Sequence, residues 1–152
     1  MDKKKFLKEE FAKILSSLQP EAKGKLGKMN AQQMVEHMSD YLRIANGKVK
    51  QKSLLTPEQV QRSQAFLMTE RPFKENTPNQ LLPDVPPPVK HASMKDAIAE
   101  LQKEIDDFFT VFSGNDTLRF STPFFGDLNF EEQVQLLYKH CTHHARQFGL
   151  ME

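Results

Sequence analysis

Four stretches of this chain carry apolar residues at the spacing of one helix face, and this pattern constrains the fold more than any other feature. The stretches cover residues 2–17, 31–46, 93–112 and 129–147. Side chains three or four positions apart share one side of an α-helix, so each stretch can bury one apolar stripe. The sequence therefore predicts an all-α protein, a four-helix bundle, with all 152 residues in a single domain.

One extra short helix and a long connection separate the second and third of these stretches. Thr56 can cap a helix that begins at Pro57 and runs to about Met68, with Gln59 completing a capping box. Residues 71–91 are expected to be extended, because proline lacks the donor that a helix needs. They contain six of the nine prolines: Pro72, Pro78, Pro83, Pro86, Pro87 and Pro88. Such a crossover is either a passive strap over the bundle or a lid over a site.

A phenylalanine-rich connection at residues 118–125 precedes the last helix. It contains Pro123 and is expected to be extended or turn-like, without a clear hairpin.

The composition excludes several classes of protein. A net charge of +1, from 21 basic and 20 acidic residues, gives no electrostatic reason to expect nucleic acid or an anionic membrane as a partner. No stretch approaches the length of a membrane span or the core of a secretory signal. The single cysteine, Cys141, suits a reducing compartment, and we expect a cytoplasmic protein with a buried thiol rather than a reactive one.

Three of the five histidines lie within five residues of the last helix. His140 and His144 are four positions apart, about one helical turn, so both imidazoles can be directed at one point. Both fall inside or at the edge of the apolar stripe, and this spacing is typical of pairs that bind a metal ion. His143 lies on nearly the opposite side and is expected to be exposed or to support the site indirectly.

A third ligand has to come from another helix. His37 shares one face of the second helix with Met34, Met38 and Tyr41, so we expect it to face the same cavity as the histidine pair. His91, in the proline-rich connection, is a weaker alternative because it has no helical placement. Glu36 is expected to be solvated, since its side chain points about 100° away from His37 around the helix.

Three further residues are expected near the site. Asp40 lies one turn from His37 and could accept a hydrogen bond that orients its ring. Tyr41 and Gln147 are expected to line the pocket.

Three neutral imidazoles suit zinc, nickel, copper or iron rather than calcium or magnesium. Three protein ligands also leave a coordination position for water or a small-molecule substrate, as in catalytic zinc sites. Such an ion can lower the pKa of bound water or ionise a bound thiol, which is the chemical basis for expecting an enzyme.

Two segments of the sequence resemble motifs of a known family. Residues 28–38 read KMNAQQMVEHM, and residues 125–128 and 138–149 read FGDL and YKHCTHHARQFG. The first segment resembles the second-helix motif of the DinB-like (YfiT-like) metalloenzymes, and the others resemble the C-terminal helix of that family. The order of the helices is similar over nearly the whole chain. Arg146 is followed by Gln147 where the family commonly has glycine, so the resemblance points to a divergent branch.

The resemblance implies a fold and a class of chemistry. It implies an up-down-down-up four-helix bundle, frequently a homodimer, with a three-histidine site for one divalent ion, zinc or nickel. The residues matching the family's ligands are His37, His140 and His144. Characterised relatives include thiol-dependent S-transferases and a thiol-dependent isomerase, which implies a low-molecular-weight thiol as a second cofactor.

Three functional interpretations remain open at this point. The first is a metal-dependent transferase that activates a thiol, with a metal-assisted hydrolase as its variant. The hydrolase needs a general base that the sequence does not supply, because His143 and Glu36 are expected to face elsewhere. The second is a non-catalytic, metal-stabilised bundle that acts as a dimeric interaction protein. The third is a role in DNA damage, which only the name of the family suggests.

Overall fold

The computed structural model describes residues 2–25, 28–73 and 86–151. Within these ranges the chain is mostly helical. Helix α1 covers residues 3–15 and contains a π-helical turn, Phe6–Glu10. The other helices are α2, Ala31–Ala45; α3, Pro57–Leu67; α4, Met94–Phe112; and α5, Phe130–Gln147.

The starts of the helices follow from their capping residues. Asn30, Thr56 and Asn129 each accept a hydrogen bond from the third helical N–H, and the side chain at that third position bonds back to the cap. Ser93 caps α4 in the same way without the reciprocal bond. Each such cap supplies a partner to backbone donors that a helix leaves free. The sequence-based prediction of these helix starts is confirmed.

The helices enclose one large apolar core. Helix α2 packs most extensively against α4, while α5 contacts α1, α2, α3 and the strand that precedes it. The largest fully buried side chains of this core include Phe11, Met34, Met38, Leu101, Ile105 and Phe108. In the described part of the chain, no helix combines the length and apolar composition that crossing a bilayer requires.

A two-stranded antiparallel sheet lies between α4 and α5. Strand β1 is Phe120–Thr122 and strand β2 is Gly126–Leu128. The turn between them is held by the Thr122 hydroxyl, which donates to the Gly126 carbonyl at 3.0 Å and accepts from the Phe125 N–H at 3.1 Å. The segment is extended and turn-like as expected, but it forms a hairpin that the sequence-based prediction did not include. Strands of three residues are too short to show an alternating pattern, and the turn lacks the usual Asn-Gly signal.

The end of the crossover is fastened to α2. The Glu36 carboxylate accepts the backbone N–H groups of Lys90 at 2.7 Å and His91 at 3.1 Å, and the Gln32 amide donates to the His91 carbonyl at 2.9 Å. The prediction that Glu36 is simply solvated is wrong. Partial burial alone would raise the pKa of Glu36, but the hydrogen bonds from Lys90, Gln32 and His91 hold it below its usual value. Residues 74–85 of the predicted crossover lie outside the described residues, so the choice between a passive strap and a lid stays open.

Candidate metal centre

Helices α2 and α5 bring three imidazoles together. One nitrogen from each of His37, His140 and His144 lies within 4.8 Å of the other two. The ring centroids are 5.4 Å apart for His37 and His140, 5.3 Å for His37 and His144, and 4.7 Å for His140 and His144. One cation lying between these nitrogens could contact all three after small side-chain adjustments. The proximity expected from the sequence is present, and the role of these residues as ligands stays a prediction.

The three rings are held in the neutral form. His37 is 7% exposed and His144 is 5% exposed, while His140 keeps slightly more contact with solvent. Burial lowers the pKa of His37 to about 4 and that of His144 to about 3, and it also holds the pKa of His140 well below its usual value. Neutral imidazole is the form that binds a metal ion, so these rings need not lose a proton near pH 7.

Gln147 orients the ring of His144. The Gln147 Oε1 atom lies 2.8 Å from Nδ1 of His144, and an amide oxygen can only accept, so Nδ1 carries the proton. The Gln147 amide nitrogen faces Nε2 of His143 at 3.3 Å. This chain of contacts leaves Nε2 of His144 as a free lone pair.

That lone pair is the clearest sign that the site fits a metal ion. Nε2 of His144 is buried and has no hydrogen-bond partner among the described residues. Leaving a buried acceptor unpaired costs roughly 1–3 kcal/mol, so such an atom calls for a partner. A cation shared with His37 and His140 would supply one, and a set of three neutral nitrogen donors suits a divalent transition metal.

Asp40 does not take the position that the sequence suggested. Its exposed carboxylate contacts the Arg43 guanidinium at 2.7 Å and lies 3.9 Å from the Lys90 ammonium. These charged partners on the surface are stronger attractions than a neutral imidazole. The structure therefore gives no support to Asp40 as the residue that orients His37.

Tyr41 and His143 flank the three histidines. The Tyr41 ring stands edge-on to His140 at 4.4 Å and to His37 at 4.8 Å, so it lines the pocket as expected. His143 lies outside the group of three and reaches the site through Gln147, with its ring 5.3 Å from that of His144. Its indirect position agrees with the sequence-based expectation.

An aromatic rim borders the site, and sequence reasoning did not find it. The Phe73 ring lies 6.4 Å from His140, 6.3 Å from His143 and 6.2 Å from Phe125. Lys139 is buried beside this rim, donates to the Phe66 carbonyl at 3.0 Å and has a pKa that burial lowers. Phe73 lies at the start of the crossover and carries no periodic signal, so only the path of the chain reveals its position.

The two remaining candidates lie away from the three imidazoles. The ring of His91 pairs with the Glu100 carboxylate, and the His91 backbone is bound by Glu36 and Gln32. Cys141 is fully buried in the core, where burial raises the pKa of its thiol far above the usual range. Both observations agree with the secondary roles expected for these residues.

Comparison with known proteins assigns the family. The sequence model of the DinB superfamily matches residues 8–148, which is most of the chain. This chain belongs to the DinB superfamily. The resemblance seen in the sequence motifs is therefore confirmed at the level of the family. Searches of curated proteins and of solved structures gave no significant match. For this DinB protein, membership in the family and the buried histidine group are both compatible with metal binding.

Proposed function

We propose that the chain binds one divalent ion, zinc or nickel, through His37, His140 and His144, and uses it to transfer a group to or from a low-molecular-weight thiol. The observation that carries this proposal is the group of three ring nitrogens within 4.8 Å of one another. The unpaired Nε2 of His144 is the second support. Zinc and nickel accept neutral imidazole readily, and three protein ligands leave coordination positions for a small molecule.

The protein's own residues have separate tasks in this proposal. A bound ion would supply a positive charge that lowers the pKa of a thiol placed beside it. Gln147 holds His144 in the required tautomer, and burial keeps His37 uncharged. The rings of Tyr41, on α2, and Phe73, after α3, both pack against the ring of His140 and exclude water from it.

The contacts of Glu36 favour transfer to a thiol over hydrolysis. Water held at an ion ionises less readily than a thiol, so hydrolysis depends more on a general base close to the bound water. The carboxylate of Glu36 is engaged by the backbone of Lys90 and His91, and His143 interacts with Gln147. Neither group is placed to serve as that base. A thiol that ionises at the metal needs no separate base once its pKa falls below the working pH.

We also propose the finer architecture that the family resemblance implies. The long connection between α2 and α4 supports an up-down-down-up order of the four main helices, since it can span the length of a bundle. A homodimer located in the cytoplasm, acting on a small-molecule substrate, completes this proposal. Sedimentation velocity of the purified chain tests the dimer directly.

Thiol binding to the cobalt-loaded protein tests the proposed function. Cobalt(II) replaces zinc in nitrogen sites and reports a bound thiolate through an intense absorption band. We expect ethanethiol to produce that band in the unaltered protein, and ethanol at the same concentration not to produce it. His140→Ala should abolish the band while leaving the helical circular dichroism signal intact. A cobalt spectrum that no thiol changes would contradict the proposal.

A further inference from the structure

A small, partly enclosed cavity borders His140, which belongs to the histidine group. It encloses about 30 Å³ between α2, α5 and the turn of the hairpin, and His140 and Tyr41 stand at its outer end. On α5 four positions of one helix face line it: Gln133, Leu136, Leu137 and His140. We call this cavity the inner slot. Because His140 belongs both to the slot and to the histidine group, a molecule held at the metal can extend into it.

The inner end of the slot carries an unused hydrogen-bond acceptor. Gln133 lies about 10 Å from His140 along the helix, at 1.5 Å per residue, and is 0% exposed. Its amide nitrogen donates to the Phe120 carbonyl at 3.4 Å, but its Oε1 atom is buried without a partner among the described residues. The Thr122 hydroxyl, which also lines the slot, is already occupied within the hairpin turn.

The walls between the two ends are apolar. Ala45 from α2, Leu137 from α5 and Phe124 from the hairpin turn face the slot. No charged side chain lines it among the described residues. A charged group would lose its hydration there without a compensating partner, so the slot excludes anions and cations. One water-sized atom needs about 10–15 Å³ of free volume. The slot, with about 30 Å³, can therefore hold about two or three heavy atoms of an occupant.

We propose that the inner slot receives a short, uncharged hydroxyalkyl arm of the metal-bound substrate, with its terminal hydroxyl donating to Oε1 of Gln133. This inference rests on the proposed function, because the arm is attached to the group that the ion holds. The apolar walls contact the carbon atoms of the arm, and the hydroxyl satisfies the acceptor that the protein leaves unpaired. Gln133 and Ala45 are thus specificity-determining residues rather than catalytic ones.

Three sulfur probes and a pair of variants test this inference in the cobalt-loaded protein. Hydrogen sulfide has no arm, ethanethiol has an apolar arm and 2-mercaptoethanol has a hydroxyalkyl arm. We measure the dissociation constant of each probe from the thiolate-to-cobalt absorption band. In Gln133→Met, the preference for 2-mercaptoethanol over ethanethiol should fall by about threefold to tenfold, the value of one neutral hydrogen bond. The intrinsic affinity of each thiol for cobalt is common to both proteins and cancels in this ratio.

A variant that fills the slot gives the second readout. Ala45→Val should weaken the binding of ethanethiol and 2-mercaptoethanol by about tenfold or more, because overpacking displaces the arm. The affinity for hydrogen sulfide, which has no arm, should stay unchanged. Ala97→Val, at an equally buried alanine of α4 outside the slot, should change none of the three.

The outcomes separate this inference from the proposed function. The inference would be overturned, and the proposed function left standing, by either of two results. One is a preference for 2-mercaptoethanol over ethanethiol that Gln133→Met leaves unchanged, and the other is an affinity for the two thiols that Ala45→Val leaves unchanged. A cobalt spectrum that neither sulfide nor the thiols change would overturn both.

Discussion

The orientation of His144 depends on one neighbouring amide. Gln147 accepts from Nδ1 of His144 at 2.8 Å, and its own amide nitrogen faces His143 at 3.3 Å. The contact with Oε1 selects the tautomer of His144 in which Nε2 can bind a cation. Residues of this kind support metal ligands because they fix the ring before the ion arrives.

Gln147→Leu should therefore weaken metal binding without unfolding the protein. The substitution keeps most of the side-chain volume and removes the acceptor, so the His144 ring can adopt either tautomer. We expect the affinity for zinc to fall by about 10-fold to 100-fold, measured by competition with a chromophoric chelator. Gln147→Glu keeps an acceptor at this position and should retain more of the affinity. Equal zinc affinity in the unaltered protein and Gln147→Leu would show that the amide does not position the ring.

The histidine group could be predicted from the sequence, and some of its neighbours could not. Helical spacing is a local property, so it selected His140 and His144 and rejected His143. The helix face that His37 shares with Met34 and Met38 selected it as the third member, and the family resemblance pointed to the same residue. Asp40 was misplaced because Arg43, less than one turn away on the same helix, provides a charged partner at the surface. Phe73 was missed because its position depends on the three-dimensional path of an irregular segment.

At the scale of elements, the hairpin depends on a close approach to α3. Gly126 has φ of +69°, and a Cβ atom placed there would lie 2.8 Å from Cγ1 of Val60. The Gln64 amide also donates to the Phe125 carbonyl at 2.7 Å, which ties the same turn to α3. The hairpin that walls the inner slot is thus held in position by α3.

Gly126→Ala should destabilise the protein more than Gly114→Ala does. Both glycines have positive φ, +69° and +74°, but a Cβ at Gly114 meets no atom of the described residues within 4 Å. Gly114→Ala should lower the free energy of unfolding by about 1–2 kcal/mol through backbone strain alone. Gly126→Ala should lower it by about 1 kcal/mol more, because the added Cβ atom contacts Val60. Urea denaturation measures both values, and Val60→Ala should relieve part of the added cost. Equal losses at the two glycines would contradict the close packing of hairpin and helix.

The Glu36 carboxylate holds the end of the crossover together with the Gln32 amide. Glu36→Ala removes both acceptors for the N–H groups of Lys90 and His91, so these amides should exchange with solvent faster, by about tenfold or more. Hydrogen exchange followed by mass spectrometry measures the effect. Glu21→Ala, at an exposed position on the loop before α2, serves as the control and should leave the exchange unchanged. Unaltered exchange in Glu36→Ala would show that other contacts hold the crossover.

The helices were the predictable elements, and the hairpin and crossover contacts were not. Each helix carries its own start signal, such as Asn30 or Thr56, and a stripe long enough to show a period. The hairpin consists of two three-residue strands whose pairing is set by the Thr122 hydroxyl and by packing on Val60. The Glu36 contacts join positions more than 50 residues apart in sequence, and no local pattern encodes them.

At the scale of the whole molecule, the buried histidines lower the stability of the metal-free protein in acid. The unfolded chain binds protons at these rings near pH 6.5, whereas folded His37 does so only near pH 4 and His144 near pH 3. The unfolded state therefore gains protons first as the pH falls, and the free energy of unfolding decreases with it. This loss of stability is absent above about pH 6.5 and develops progressively between about pH 6.5 and pH 3.

Denaturation of the metal-free protein at several pH values tests this linkage. Each ring should add up to about 1.4 kcal/mol per pH unit to the slope of the unfolding free energy, at pH values between its folded and unfolded pKa. His37→Gln should reduce the slope between pH 6 and pH 4.5, because glutamine does not titrate. A slope that His37→Gln leaves unchanged would contradict the buried, neutral state of this ring.

The metal content of the purified protein tests the central claim most directly. The chain is produced without an affinity tag, and its zinc and nickel are measured by elemental analysis together with those of His37→Ala, His140→Ala, His144→Ala and His91→Ala. The account predicts about one ion per chain in the unaltered protein and in His91→Ala, and almost none in the other three variants. Full metal content in any variant of the three clustered histidines, or none in the unaltered protein after incubation with zinc or nickel, would contradict it.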